Sequence, residues 1–196
     1  MTPIVIVPGL DGSGETHWQT FLQRSLPNAT RVEQDNWERP KFASWMDRLA
    51  REVETRPGAI LVAHSLGCPL VAHLAVRHPD LTIEAALLVA PADVDSPRHT
   101  PGRARCFAPI PVQPLPFRSI VVASTDDPFM ELERARALAA AWGAEFVNAG
   151  PVGHINVDSG FGPWPDGQRM VQSLMARAAG RSARWSRAAE GTPRAL

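Results

Sequence analysis

Short apolar runs alternate along the chain with longer stretches in which apolar residues return every third or fourth position. The runs Ile4–Val7, 59–63, Ile83–Val89 and 117–123 read as strands, and Ile83–Val89 is apolar nearly throughout, as a strand covered on both faces should be. Residues 30–32 and 144–147 are weaker strand candidates. Between these runs, residues 17–25 carry Trp18, Phe21 and Leu22 at helical spacing. Residues 43–54 carry Trp45, Met46, Leu49 and Val53 on one side, and Leu132–Trp142 pairs Leu138 with Trp142 four positions on. Residues 68–78 read as a helix stopped before Pro79, and 168–179 as a last helix. This alternation predicts an α/β fold: a three-layer sandwich with a mostly parallel sheet and helices on both faces.

Two segments break the alternation. Residues 91–116 are rich in Pro, with Arg98, Arg103 and Arg105 scattered among them. A loop of that length is usually functional or disordered, and here its expected place is over the carboxyl-terminal edge of the sheet. Residues 181–196 lack apolar periodicity and predict a frayed or disordered tail behind a single domain at 1–180.

Composition narrows the function classes. The chain has 196 residues, enough for one domain with a sizeable core, with 44% hydrophobic and 20% charged residues and no formal net charge. That balance gives no footprint for nucleic acid or an anionic membrane surface. No run approaches the roughly 18 apolar residues of a membrane span. The first residues lack a basic leader and enter a strand at once, which predicts a cytoplasmic protein. Cys68 and Cys106 fit no metal spacing and are expected reduced. The near absence of Lys beside many Arg reads as codon bias. "GLDGSG" after the first strand matches neither phosphate-loop pattern, so neither cofactor nor metal is expected.

The chemistry concentrates after three strands. In "LVAHSLGCPL" a strand runs into Ser65 and then a helix begins, close to the G-x-S-x-G pattern of a nucleophile on a sharp turn. Ala63 replaces the first glycine, which predicts a turn slightly open on its strand side. The plainer alternative is that Ser65 caps the helix. "STDDPF" follows the fifth strand and "GPVGHINVDSG" the sixth, so an acid and then a histidine follow the serine in hydrolase order. Asp127, held extended by Pro128, is the favoured acid, with Asp126 bracing the same loop. His154 is the candidate base. His64 is expected to point away from Ser65, His17 to cap or pack, with lining of the site as the alternative, and His73, His78 and His99 to be surface or core residues. A serine hydroxyl needs such a base near neutral pH, and an acid fixes the imidazole tautomer. The amide of Leu66 is one expected oxyanion donor and that of Leu10, reached by close approach at Gly9, the second.

Together, "IVIVPGLDGSGETHWQTFL", "VAHSLGC", "STDDPF" and "GHINVDSGFGPWPDG" resemble the small serine hydrolases related to retinoblastoma-binding protein nine, most closely their bacterial YdeN-type relatives. The resemblance covers about residues 4–179. It implies a compact α/β-hydrolase fold without a large lid, and Ser65, His154 and Asp127 as nucleophile, base and acid. The L-x-C-x-E motif of the animal protein is absent, so no retinoblastoma-type partner is expected.

The reaction expected is hydrolysis of a small carboxylic ester. Gly9, Asp11, His17, Trp18, Asn156 and Trp164 are the expected lining residues, and Trp37 a further apolar wall, although each Trp also suits the core. An aminopeptidase-like amidase would need a carboxylate for a substrate ammonium, from Asp11, Glu15 or Asp158. A non-catalytic α/β binding module is the reading from a different class.

Overall fold

The computed structural model describes residues 1–190, with side chains described through residue 179. Six strands form one sheet: β1 (Ile4–Val7), β2 (Ala29–Arg31), β3 (Ala59–His64), β4 (Ile83–Val89), β5 (Arg118–Ala123) and β6 (Glu145–Asn148). Their order is β2-β1-β3-β4-β5-β6, and each neighbouring pair is parallel. Five helices accompany them: α1 (Trp18–Ser25), α2 (Phe42–Glu54), α3 (Gly67–Arg77), α4 (Leu132–Trp142) and α5 (Pro165–Glu190).

The two-residue period of the strands divides the core. Val5, Leu61, Ala63, Leu88 and Val121 pack with Leu49 of α2, Leu70 of α3 and Leu138 of α4. Ile4, Ile60, Val62, Leu87 and Val122 turn the other way, onto Trp18 and Leu22 of α1 and Val171 and Leu174 of α5. Strands buried on both faces over most of their length explain why β3 and β4 read as nearly continuous apolar runs. Helix α3 is apolar nearly all round because α2 and the 91–116 segment cover what the sheet does not.

That segment is not a loose loop. Val94, Ala104, Phe107 and Ile110 are buried in the α2–α4 layer, and Gly102–Phe107 forms a 3-10 turn. Asp95 accepts from the Ile110 amide at 3.0 Å and from Arg134 at 2.8 Å, and Trp142 Nε1 donates to Pro111 O at 2.7 Å. At the other end of the chain, α5 continues past 179 to Glu190. The first part of the segment read as a tail is therefore helical, and residues 191–196 lie outside the described residues. No described helix is long and apolar enough to cross a membrane.

Candidate active site

The carboxyl ends of β1, β3, β5 and β6 carry the groups that meet at the site. Strand β3 stays in register with β1 and β4 through Ala63 and His64, and the chain turns at the next residue. Ser65 has φ +53°, a left-handed conformation that costs a side-chain-bearing residue about 1–2 kcal/mol. Its amide donates to Val89 O at 3.0 Å, and its carbonyl accepts from Cys68 N at 3.0 Å. The turn is thus built without opening at Ala63, contrary to expectation. The glycines that matter lie elsewhere. A Cβ on Gly67 would sit 2.4 Å from Val7 O, and one on Gly9 would sit 2.7 Å from Ser65 Cβ. The elbow and the loop after β1 interlock through these two missing side chains.

The Ser65 hydroxyl does not cap α3, which has no side-chain cap at Leu66. It lies 2.8 Å from His154 Nε2. His154 Nδ1 lies 2.9 Å from both carboxylate oxygens of Asp127, and both side chains are almost wholly buried. Asp127 also accepts the Phe129 amide at 2.9 Å, and the Phe129 ring stands 4.5 Å from the imidazole. A carboxylate on Nδ1 fixes the proton there and leaves Nε2 as acceptor for the serine proton.

The loop bearing His154 is clamped by side chains. Ser124 Oγ accepts the Val152 amide at 3.0 Å, and Asp126 Oδ1 accepts the Gly153 amide at 2.7 Å. Ser159 Oγ accepts the His154 amide at 3.0 Å. The Ser124 hydroxyl and then the Gly153 amide hold the Asp126 carboxyl below its usual range. From beneath, Trp18 Nε1 donates to Ile155 O and His64 Nε2 to His154 O, each at 2.9 Å. The His64 side chain makes its bond to this loop and not to Ser65, and it also lines the cavity. Burial pushes its pKa far down, so it is the neutral imidazole whose Nε2–H donates.

His17 Nδ1 accepts the Gln19 amide at 3.2 Å, capping α1. Its pKa is lowered to about 4, first by burial and then by the charges of Arg31 and His154.

A cavity of about 340 Å³ opens over Ser65 and His154. Leu10, Leu66, Asp11, His17 and Asn156 are among the residues that line it. The amides of Leu10 and Leu66 have no acceptor among the described residues. Gly9 lies under Ser65 instead of lining the cavity. None of the three tryptophans lines the cavity, which corrects their place as walls: Trp18 is a core residue, and Trp37 and Trp164 are half-buried against the core. Trp18 and Trp164 pack at 5.1 Å between α1 and α5, while Trp37 packs on Trp45 behind Gly12. The Trp18 ring fills space between layers, where its apolar area is fully buried. Asp158 lies on the rim, and Glu15 is not among the lining residues. Among the described residues no cluster of three His, Cys, Asp or Glu is arranged to hold a metal.

Residues 4–173 match the profile of the serine hydrolase family. The chain belongs to that family. A YdeN-like hydrolase from Pectobacterium atrosepticum is 34% identical and superposes with a TM-score of 0.78, covering 90% of this chain and 91% of that one. The ydeN gene product of B. subtilis gives 22% identity and a TM-score of 0.74 over 90% of this chain and 100% of its own. Est1E from Butyrivibrio proteoclasticus shares the fold at 14% identity and a TM-score of 0.63, over 89% and 88% of the two chains. No curated protein matches. As a YdeN-type serine hydrolase the chain has the compact α/β-hydrolase architecture, with a wholly parallel six-stranded sheet.

Several lining residues of this hydrolase escaped sequence reasoning: Thr100, Pro101, Arg103 and Ala104 from the 91–116 segment, and Phe129 and Val157 on the loops that carry Asp127 and His154. The length of the segment pointed to the sheet edge, but nothing in its composition separated Arg103 from Arg98 and Arg105. Only the 3-10 turn does that.

Proposed function

We propose that this serine hydrolase cleaves a small carboxylic ester through an acyl-enzyme on Ser65. The observation that carries the reading is the strained Ser65, with its Oγ 2.8 Å from His154 Nε2 and facing a cavity edged by two unpaired amides. In this mechanism Ser65 Oγ attacks the ester carbonyl while His154 Nε2 takes its proton. The Leu10 and Leu66 amides receive the oxyanion of the tetrahedral intermediate. Asp127 holds the imidazolium in place. The intermediate collapses as the C–O bond breaks, and His154 returns its proton to the departing alcohol. Water, deprotonated by His154, then attacks the acyl-enzyme and releases the acid and Ser65. The cavity volume and its Leu10, Leu66, Ala92 and Phe129 walls favour a short acyl group.

The test is Ser65→Ala on p-nitrophenyl acetate. The expected result is loss of hydrolysis with an unchanged melting temperature or a raised one; retained turnover overturns the assignment. The aminoacyl amidase reading is weaker, because Asp11 is already held by Arg103 at 2.9 and 3.0 Å. It rests on Asp158, which is exposed and has no partner among the described residues. A strong preference for leucine p-nitroanilide over p-nitrophenyl acetate would favour it.

A further inference from the structure

The loop after β1 is a β-turn: Gly12 N donates to Gly9 O at 3.1 Å, with Leu10 and Asp11 between them. Asp11 has φ +61°, at the position where type II turns favour glycine. Its amide is bonded to Trp37 O at 3.1 Å. The Leu10 amide is the donor the turn leaves unused. An aspartate tolerates the left-handed region, but its cost is offset only if the side chain does something glycine cannot. Here the carboxylate is gripped through both oxygens by Arg103 of the overlying 3-10 turn, Nη1 to Oδ1 at 3.0 Å and Nη2 to Oδ2 at 2.9 Å. Arg103 Nη1 also donates to Glu38 O at 2.7 Å. One guanidinium thus ties the β1 loop, the loop before α2 and the segment over the site. Partly exposed ion pairs are usually weak, but a bidentate fork is the geometry in which they hold position.

We propose that Arg103 is a positioning residue for the oxyanion site, acting through Asp11 on the Leu10 amide. This rests on the reading of Leu10 as an oxyanion donor. A donor matters only where the oxyanion will sit, so a loop that drifts by a fraction of an ångström loses transition-state stabilisation while ground-state binding is kept. The prediction is a split between kcat and KM.

The experiment compares wild type, Arg103→Ala, Asp11→Asn and the double variant on p-nitrophenyl acetate, with phenylboronic acid as a tetrahedral mimic. Each single variant is expected to lose about tenfold in kcat, less than the removal of a donor outright, and as much in boronate affinity, with KM little changed. The double variant should be no worse than either single one, because both remove the same contact. A second measurement needs no variant. Rising ionic strength should lower the wild-type kcat and leave that of Arg103→Ala flat, since salt screens a partly exposed pair. Unchanged kcat and boronate affinity, a change confined to KM, or multiplying effects of the two substitutions would each overturn the inference. Ester turnover that survives Ser65→Ala overturns the underlying reading instead; turnover that needs Ser65 but ignores Arg103→Ala overturns only this one.

Discussion

Asp126 and Gly153 join two loops: the carboxylate after β5 accepts the Gly153 amide after β6 at 2.7 Å. The bond sits one residue before His154, while the adjacent Asp127 takes the imidazole itself. Two neighbouring acids therefore divide the work, one holding the ring and the other the backbone that carries it.

Substitution should separate them. Asp127→Asn keeps the shape but offers Nδ1 an amide that no longer selects the productive tautomer, and is expected to lower kcat by about 10⁴-fold. Asp126→Asn loses charge-assisted bonds to Ser124 and Gly153 and leaves the imidazole's own partner intact. Its expected cost is about tenfold in kcat with a lowered melting temperature. Steady-state kinetics of the two variants decide the matter: equal losses would contradict the division.

The contrast also shows how far the chain could be read in advance. The inner strands were visible as apolar runs, because burial on both sheet faces writes itself directly into residue type, whereas the half-exposed edge strands β2 and β6 gave only weak signals and the end of α5 read as a tail. Ser65, Asp127 and His154 were visible because strand order brings their loops together whatever the details. The support that His64 gives the His154 loop left no trace, since its bond to His154 O spans ninety positions of sequence. The place of the tryptophans stayed open because a ring suits a wall and a core equally. Arg103 was hidden inside an aperiodic segment whose path is set by Asp95, Phe107 and Trp142 contacts that leave no local pattern.

The buried histidines make the fold acid-sensitive. His17 titrates near 6.5 when unfolded and at about 4 when folded. Between those values the unfolded chain binds a proton that the folded one refuses, so stability rises with pH across the window. The contribution is fully present above about 6.5 and is lost as pH falls toward 4, amounting to about 3 kcal/mol for His17. His64 and His73 are shifted down by burial and act in the same direction. Urea unfolding at pH 7.5 and 5.0 should show a marked loss at the lower pH. His17→Gln, which can still accept the Gln19 amide, should flatten the slope by about one proton. A stability that does not change between those two pH values would contradict the burial of neutral imidazoles.

Ala63 stands where the elbow pattern asks for glycine, yet it behaves as an ordinary strand residue. It is fully buried, paired in register with Val7 and Leu88, and packed in the α2–α4 layer. The close approach that needs glycine is made by Gly67 against Val7 O and by Gly9 against Ser65. Restoring the pattern with Ala63→Gly should therefore bring no catalytic gain. It removes a buried methyl, about 0.8 kcal/mol, and adds backbone freedom to the unfolded chain, about 0.5–1 kcal/mol. The expected outcome is a loss of about 1–2 kcal/mol in urea unfolding, with kcat/KM on p-nitrophenyl acetate unchanged. A variant that gained activity would mean that the Ala63 methyl crowds the elbow after all, and that the regular β3 pairing through His64 conceals a compromise.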